Sequence, residues 1–220
     1  YSANSVVNFR MENCRMNLIN DRTLWGVIGT NFCKNIVIED CVLSRMDSHQ
    51  GVSGEYTIRR TTLGTAGFNA IGRGVLTVED STIYGSSLVA LRGDYGSTWE
   101  GDVVIRNSRW VPGNGARLWP RLIGGGNDGM HDFGYPCHMP RQITIDGLFV
   151  DDSKHPDDYR GLLFFNHPEP ARKGLPEKRP FPYQPVRKIT IRNLQTASGK
   201  QPCLPNGYAG TEVEYLPDTK

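Results

Sequence analysis

The chain lacks any run of 18 or more apolar residues, so no helix in it is expected to span a membrane. It also lacks an excess of one charge: 25 Lys plus Arg stand against 23 Asp plus Glu, a formal net charge of +2 without a basic stripe. That balance excludes the electrostatic footprint of a nucleic-acid binder. The five cysteines (Cys14, Cys33, Cys41, Cys137, Cys203) contain no Cys-x-x-Cys pair, so neither a zinc site nor a complete disulfide framework follows. No window carries the 3.6-residue period of an amphipathic helix. Tyr1 opens directly into alternating sequence with no charged-then-apolar leader, from which we expect either a removed leader or further sequence upstream. What is plentiful is glycine (25) and proline (14), and they punctuate the chain too often for long helices. At 220 residues and 38% hydrophobic content the chain can bury a substantial core.

One segment recurs. Its copies are "VNFRMENC" (7–14), "NIVIEDC" (35–41), "EYTIRRT" (55–61), "VLTVEDS" (75–81), "DVVIRNS" (102–108), "QITIDGL" (142–148) and "RKITIRNL" (187–194). The last apolar residue before the turn marks each copy: Met11, Ile38, Ile58, Val78, Ile105, Ile145 and Ile191. The markers are about 20 to 27 residues apart in the first part of the chain and about 40 to 46 apart later. Within each copy apolar residues alternate strictly, the signature of a half-buried strand. A polar bend follows, at Asn13, Asp40, Asp80, Asn107 and Asn193, types that tolerate a left-handed backbone; Gly147 suits it and Arg60 does not. A second apolar pair comes next, for example Cys41/Leu43 and Ser108/Trp110. A third short strand then closes each turn, at "WGVI" (25–28), "QGV" (50–52), "NAI" (69–71), "VAL" (89–91), "RLI" (121–123) and "LLFF" (162–165). Three strands in a turn of about 20 residues describe a parallel β-solenoid whose coils stack at roughly 4.8 Å. Cys14 and Cys41 then share one inward column, as stacked thiols rather than a disulfide.

Over residues 6 to about 196 this pattern resembles the right-handed parallel β-helix proteins of the pectin-lyase-like superfamily. The resemblance implies an all-β, right-handed parallel β-helix of about seven coils, with long loops in the C-terminal half. Residues 1–220 would form a single domain, the C-terminal part of a longer chain, because the helix that usually caps the first coil is not visible before Val6.

A coil needs only about 20 residues, so function is sought where the chain spends more. The first insertion is Arg45-Met46-Asp47-Ser48-His49-Gln50, between second and third strands; a spacing of 20 sets His49 beside Asn69 and Val89. Asp47-Ser48-His49-Gln50 is similar, in two residues of four, to the Asp-Pro-His-Glu motif of mannuronan C5-epimerases, which implies that His49 and a nearby Tyr handle a C5 proton. The second insertion, "RGDYGSTWEGD" (92–102), combines Arg92, Asp94, Tyr95, Trp99, Glu100 and Asp102, an aromatic platform and charged groups such as a sugar requires. Arg92 can clamp a carboxylate bidentately, and Arg73 is expected within a residue of it on one wall, the two together attracting an acidic sugar. The third insertion, "GGGNDGMHDFGYPCHM" (124–139), places Asn127, Asp128, His131 and Asp132 behind three glycines. It lacks the Gly-Lys-Ser/Thr of a phosphate loop, so no nucleotide cofactor is expected; calcium at Asp128 and Asp132 would need a third partner. The fourth, the proline-rich 166–185, reads as a surface excursion.

The expected function is therefore action on an acidic polysaccharide or oligosaccharide by β-elimination or C5 proton transfer. That chemistry needs a cation for the carboxylate (Arg92 or Arg73), a base (His49, oriented by Asp47) and an acid (Tyr95). Gln50, Asn69, Arg73, Trp99, Glu100, Asn127, Asp128 and His131 are expected to bind substrate. A glycoside hydrolase using Asp47 with Asp94, or Asp94 with Asp102, is one alternative. A non-catalytic carbohydrate-binding or tailspike-like solenoid is another. A polysaccharide substrate carries the expectation of an extracellular or periplasmic location, no metal is required, and the oligomeric state is left open.

Overall fold

The computed structural model describes residues 3–20, 29–48, 50–113, 120–126, 130, 138–166, 184–204, 208 and 210–218. Among these residues the structure is all-β: no α-helix occurs, a short 3-10 turn lies at Gly93–Tyr95, and every strand pair is parallel. The pairing is consistent with a β-helix solenoid.

The strands stack as three walls. In the first, Val7–Glu12, Lys34–Glu39, Ser53–Arg59, Gly72–Glu79, Trp99–Val111, Gln142–Val150, Lys188–Thr196 and Glu212–Tyr215 succeed one another in chain order. The repeat markers pair along it: Met11 with Ile38, then Ile58, Val78, Ile105, Ile145 and Ile191. The widening intervals therefore lengthen loops without disturbing the register. The final rung, where Ile191 pairs with Tyr215, lies beyond the range over which the repeat is readable in sequence. The second wall follows the bend, with Leu43 beside Leu63, Leu63 beside Ile83, Ile83 beside Trp110 and Trp110 beside Val150. In the third wall Met46 pairs with Phe68, Ala90 with Asn69, and Val89 with Ile123, which pairs in turn with Phe165.

Alternation explains the core. Ile36/Ile38, Tyr56/Ile58, Leu76/Val78, Val103/Ile105, Ile143/Ile145 and Ile189/Ile191 all point inward and are buried. Each such side chain contributes about 1.5 to 3 kcal/mol by leaving water.

The bend between first and second walls has its own hydrogen-bond logic. Asn13, Asp40, Asp80, Asn107 and Asn193 have positive φ, as expected, and so does Arg60, at 47°. Its β-carbon strain is offset by a bidentate pair with Asp40, the equivalent residue one coil earlier (Nε–Oδ1 2.8 Å, Nη2–Oδ2 2.8 Å). The residue after each bend then bridges coils. The Cys41 N–H donates to Thr61 Oγ1 (3.2 Å), Thr61 N–H to Ser81 Oγ (3.1 Å) and Ser81 N–H to Ser108 Oγ (3.2 Å). Each of those hydroxyls donates in turn to the carbonyl two residues before it. Corner N–H groups that no strand could satisfy thus find partners. Cys14 and Cys41 take the same position and are free; the Cys14 N–H donates to Cys41 Sγ at 3.5 Å, and burial pushes the Cys41 thiol pKa up.

On the outer face of the first wall, Glu39 is only 2% exposed because arginines cover it: Arg59 and Arg60 bind Oε2 at 2.6 and 2.9 Å, and Arg10 binds Oε1. The Arg59 hydrogen bond, with the charges of Arg10 and Arg59 and a further bond from Arg60, holds this carboxyl below the usual carboxylate range. A carboxyl whose folded pKa is depressed stabilises the fold above its unfolded pKa of about 4.3, and that contribution is lost as pH falls through the folded value. Glu39→Gln is expected to lower the melting temperature at pH 7 and to flatten its decline in acid. Parallel acid profiles for native and variant would contradict this role.

Candidate functional site

The third wall turns at its outer edge into the corner that carries the first two insertions. Here the register departs from the simple 20-residue spacing. Leu43 pairs with Leu63 but Arg45 with Gly67, so the later coil has two extra corner residues, and Asp47 rather than His49 stands beside Asn69. Arg45, Met46 and Asp47 are accordingly part of a strand (Val42–Asp47) and not an insertion between strands. Gln50-Gly51-Val52, expected as the third strand, forms the next corner, where Val52 keeps one bridge to Gly72. The Gln50 N–H donates to Asn31 Oδ1 at 3.2 Å. His49 lies outside the described residues.

Arg45 and Asp47 are two apart on one strand and so share its outer face. Asp47 nonetheless has no exposed side-chain surface, because Arg45 and Arg92, each 17% exposed, lie against it. Arg45 Nη2 pairs with Asp47 Oδ2, and Arg92 Nη1 reaches both Asp47 oxygens at 3.4 and 3.3 Å. The other edge of the Arg92 guanidinium grips Asp94, Nε–Oδ1 2.9 Å with a second bond from Nη2 to Oδ2. Asp94, 18% exposed, sits in the Gly93–Tyr95 turn, which Gly96 closes at φ 83° through its N–H to the Gly93 carbonyl. The result is a Arg45–Asp47–Arg92–Asp94 chain of alternating charge, net zero, of which Asp94 is the outer carboxylate. Charges withdrawn from water this far are tolerated because each is paired.

The third insertion begins against the second. Ser97 Oγ donates to the Gly126 carbonyl (2.6 Å) and accepts the Gly126 N–H (2.8 Å), while Asn166 on the following coil brackets Gly125, accepting its N–H at 2.9 Å and donating to its carbonyl at 2.6 Å. The glycine strip 124–126 therefore runs beside the Arg92 loop. Asn127, Asp128, His131 and Asp132, and the calcium expectation with them, lie outside the described residues. Among the described residues no three His, Cys, Asp or Glu side chains gather as a metal would need.

Two expectations change. Trp99 offers no sugar platform: it is fully buried, with its indole Nε1 donating to the Asp102 carbonyl at 3.3 Å. It stands in phase with Val103 and Ile105 on one strand, so alternation sends it inward with them. Arg73 does not share a wall with Arg92. Leu91 pairs with Ala70, which sets Arg92 level with Ile71, whereas Arg73 lies past Gly72 on the first wall, paired with Glu100. Asn69, half-buried, does lie on the outer face between Asp47 and Ala90. Tyr95 contributes its backbone to the 3-10 turn beside Asp94. Arg45 is the participant that sequence reasoning left out of the site, and its spacing of two from Asp47 was the available signal.

No protein-family model matches the chain, and no solved structure does. A capsule KL64-specific depolymerase of Klebsiella phage P510 is 33% identical over 94 residues, a match that covers 38% of this chain and 9% of the phage protein. The chain is thus similar, over little more than a third of its length, to a small part of a much longer depolymerase.

Proposed function

We propose that the chain belongs to a polysaccharide-degrading, right-handed β-helix protein of about seven coils that works outside the cell on an acidic capsular polysaccharide. The observation that carries this reading is the outer-edge cluster, in which the partly exposed Asp94 is held by Arg92 and Arg92 is anchored by the buried Asp47. The similarity to a capsule depolymerase supports the substrate class. In the preferred chemistry, β-elimination, Asp47 and Asp94 together hold the Arg92 guanidinium against the uronate carboxylate, His49 removes the C5 proton and Tyr95 protonates the leaving oxygen.

One observation favours hydrolysis as a second reading. Asp47 and Asp94 bind different edges of one guanidinium, which brings two carboxylates, the residue types of a glycosidase pair, to one corner. Incubation with KL64 capsular polysaccharide, polygalacturonate, alginate and hyaluronan separates the two. Falling viscosity with the ultraviolet absorbance of unsaturated uronide ends is the expected result. New reducing ends without that absorbance would select the hydrolase. Binding without any shortening would leave a carbohydrate-binding solenoid, and neither binding nor cleavage would remove polysaccharide from the account.

A further inference from the structure

Arg73 and Glu100, displaced from the Arg92 cluster, line a shallow cleft of their own where the coils turn into the first wall. Its floor is bare backbone. Gly54, Gly74 and Gly101 follow one another on successive coils, with φ of 76°, 116° and 153°. A β-carbon at Gly74 would lie 1.9 Å from the Gly54 carbonyl oxygen, and one at Gly101 would lie 2.0 Å from that of Gly74. Side chains are therefore excluded from the floor, which extends over three coils, roughly 10 Å at the usual strand spacing. That is the scale of a disaccharide lying flat.

The rims differ. On one side Asp102 and Arg141 satisfy each other, Nε–Oδ1 3.2 Å and Nη2–Oδ2 3.0 Å, with Gln184 beyond them. On the other, Arg73 and Glu100 are Cα partners on neighbouring strands, where opposite charges usually pair. Both are exposed, and among the described residues neither head group has a hydrogen bond or ion pair. An uncommitted guanidinium and carboxylate over a flat backbone floor match a ring bearing a carboxylate and hydroxyls: Arg73 takes the carboxylate bidentately, and Glu100 accepts from hydroxyls.

We infer that this cleft is a second subsite for an acidic glycan, one corner away from the Arg92 cluster along the Arg92–Glu100 loop. The inference rests on the polysaccharide reading above. Affinity electrophoresis through gels containing KL64 capsular polysaccharide, polygalacturonate, alginate or hyaluronan, with dextran as the uncharged control, tests it. Arg73→Gln is expected to weaken retardation by the acidic glycan about tenfold, with a shallower salt dependence and an unchanged melting temperature. Arg73→Lys should recover part of the affinity, and Glu100→Gln should leave binding equal or tighter. Native-like retardation of Arg73→Gln by every glycan that retards the native protein would overturn the cleft while leaving the Arg92 site standing. A native protein retarded by no acidic glycan of the panel would overturn both.

Discussion

Replacing Arg92 by alanine is expected to destabilise the protein by roughly 3 to 5 kcal/mol and to abolish polysaccharide degradation. The stability loss follows from burial: Asp47 has no exposed side-chain surface, and the Arg92 guanidinium lies against it beside that of Arg45. Removing one leaves a carboxylate with less compensation in a site from which water is largely excluded. The functional loss follows from position, because Asp94 is held in place by the same guanidinium through two bonds. Arg92→Lys keeps a charge but cannot grip Asp94 bidentately while reaching Asp47, so it should recover stability better than activity. A denaturation midpoint for Arg92→Ala equal to that of the native protein would contradict the anchoring role. Asp47→Asn combined with Arg92→Gln should cost less than the sum of the single changes, since neither leaves the other's charge stranded.

Trp99→Ala is expected to be comparably destructive to the fold, about 3 to 5 kcal/mol, by opening a cavity beneath the corner that carries the Arg92 loop. In a chain of this size that corresponds to a fall in melting temperature of roughly 10 °C. A sugar platform would lose affinity with its midpoint unchanged; a buried indole loses the midpoint, and binding falls only with the folded fraction. Thermal denaturation beside glycan binding, measured well below the transition, decides between them.

The first wall was legible because its alternation is strict and its repeat markers, from Met11 to Ile191, pair from coil to coil. Ile38, Ile58 and Val78 could be aligned without knowing where the intervening chain goes, and even the long loops before Ile145 and Ile191 left that alignment intact. The third wall was less legible, since its register depends on corner length. Two additional residues between Leu63 and Gly67 slide the pairing and exchange His49 for Asp47 as the neighbour of Asn69. Trp99 was misread through its company: charged neighbours suggested a surface loop, although its parity with Val103 already placed it inside. Arg60 shows a different limit, because the Asp40 carboxylate that steadies its left-handed backbone comes from another coil, a contact that only the stacking reveals. The site was half readable for the same reason. Asp47, Arg92 and Asp94 could be nominated as residues, but the guanidinium that joins them acts across coils.

If an acidic polysaccharide is cut at this outer edge, Asp94→Asn should slow the cut. The side chain is isosteric and 18% exposed, and its amide oxygen keeps one of the two bonds from Arg92, so the variant should lose less stability than Arg92→Ala and stay folded well below its transition. On any polysaccharide whose viscosity the native protein lowers, the variant is expected to act at a rate lower by at least about a hundredfold. Native-rate cleavage by a fully folded Asp94→Asn protein would contradict the account and move the chemistry away from the Arg92 edge.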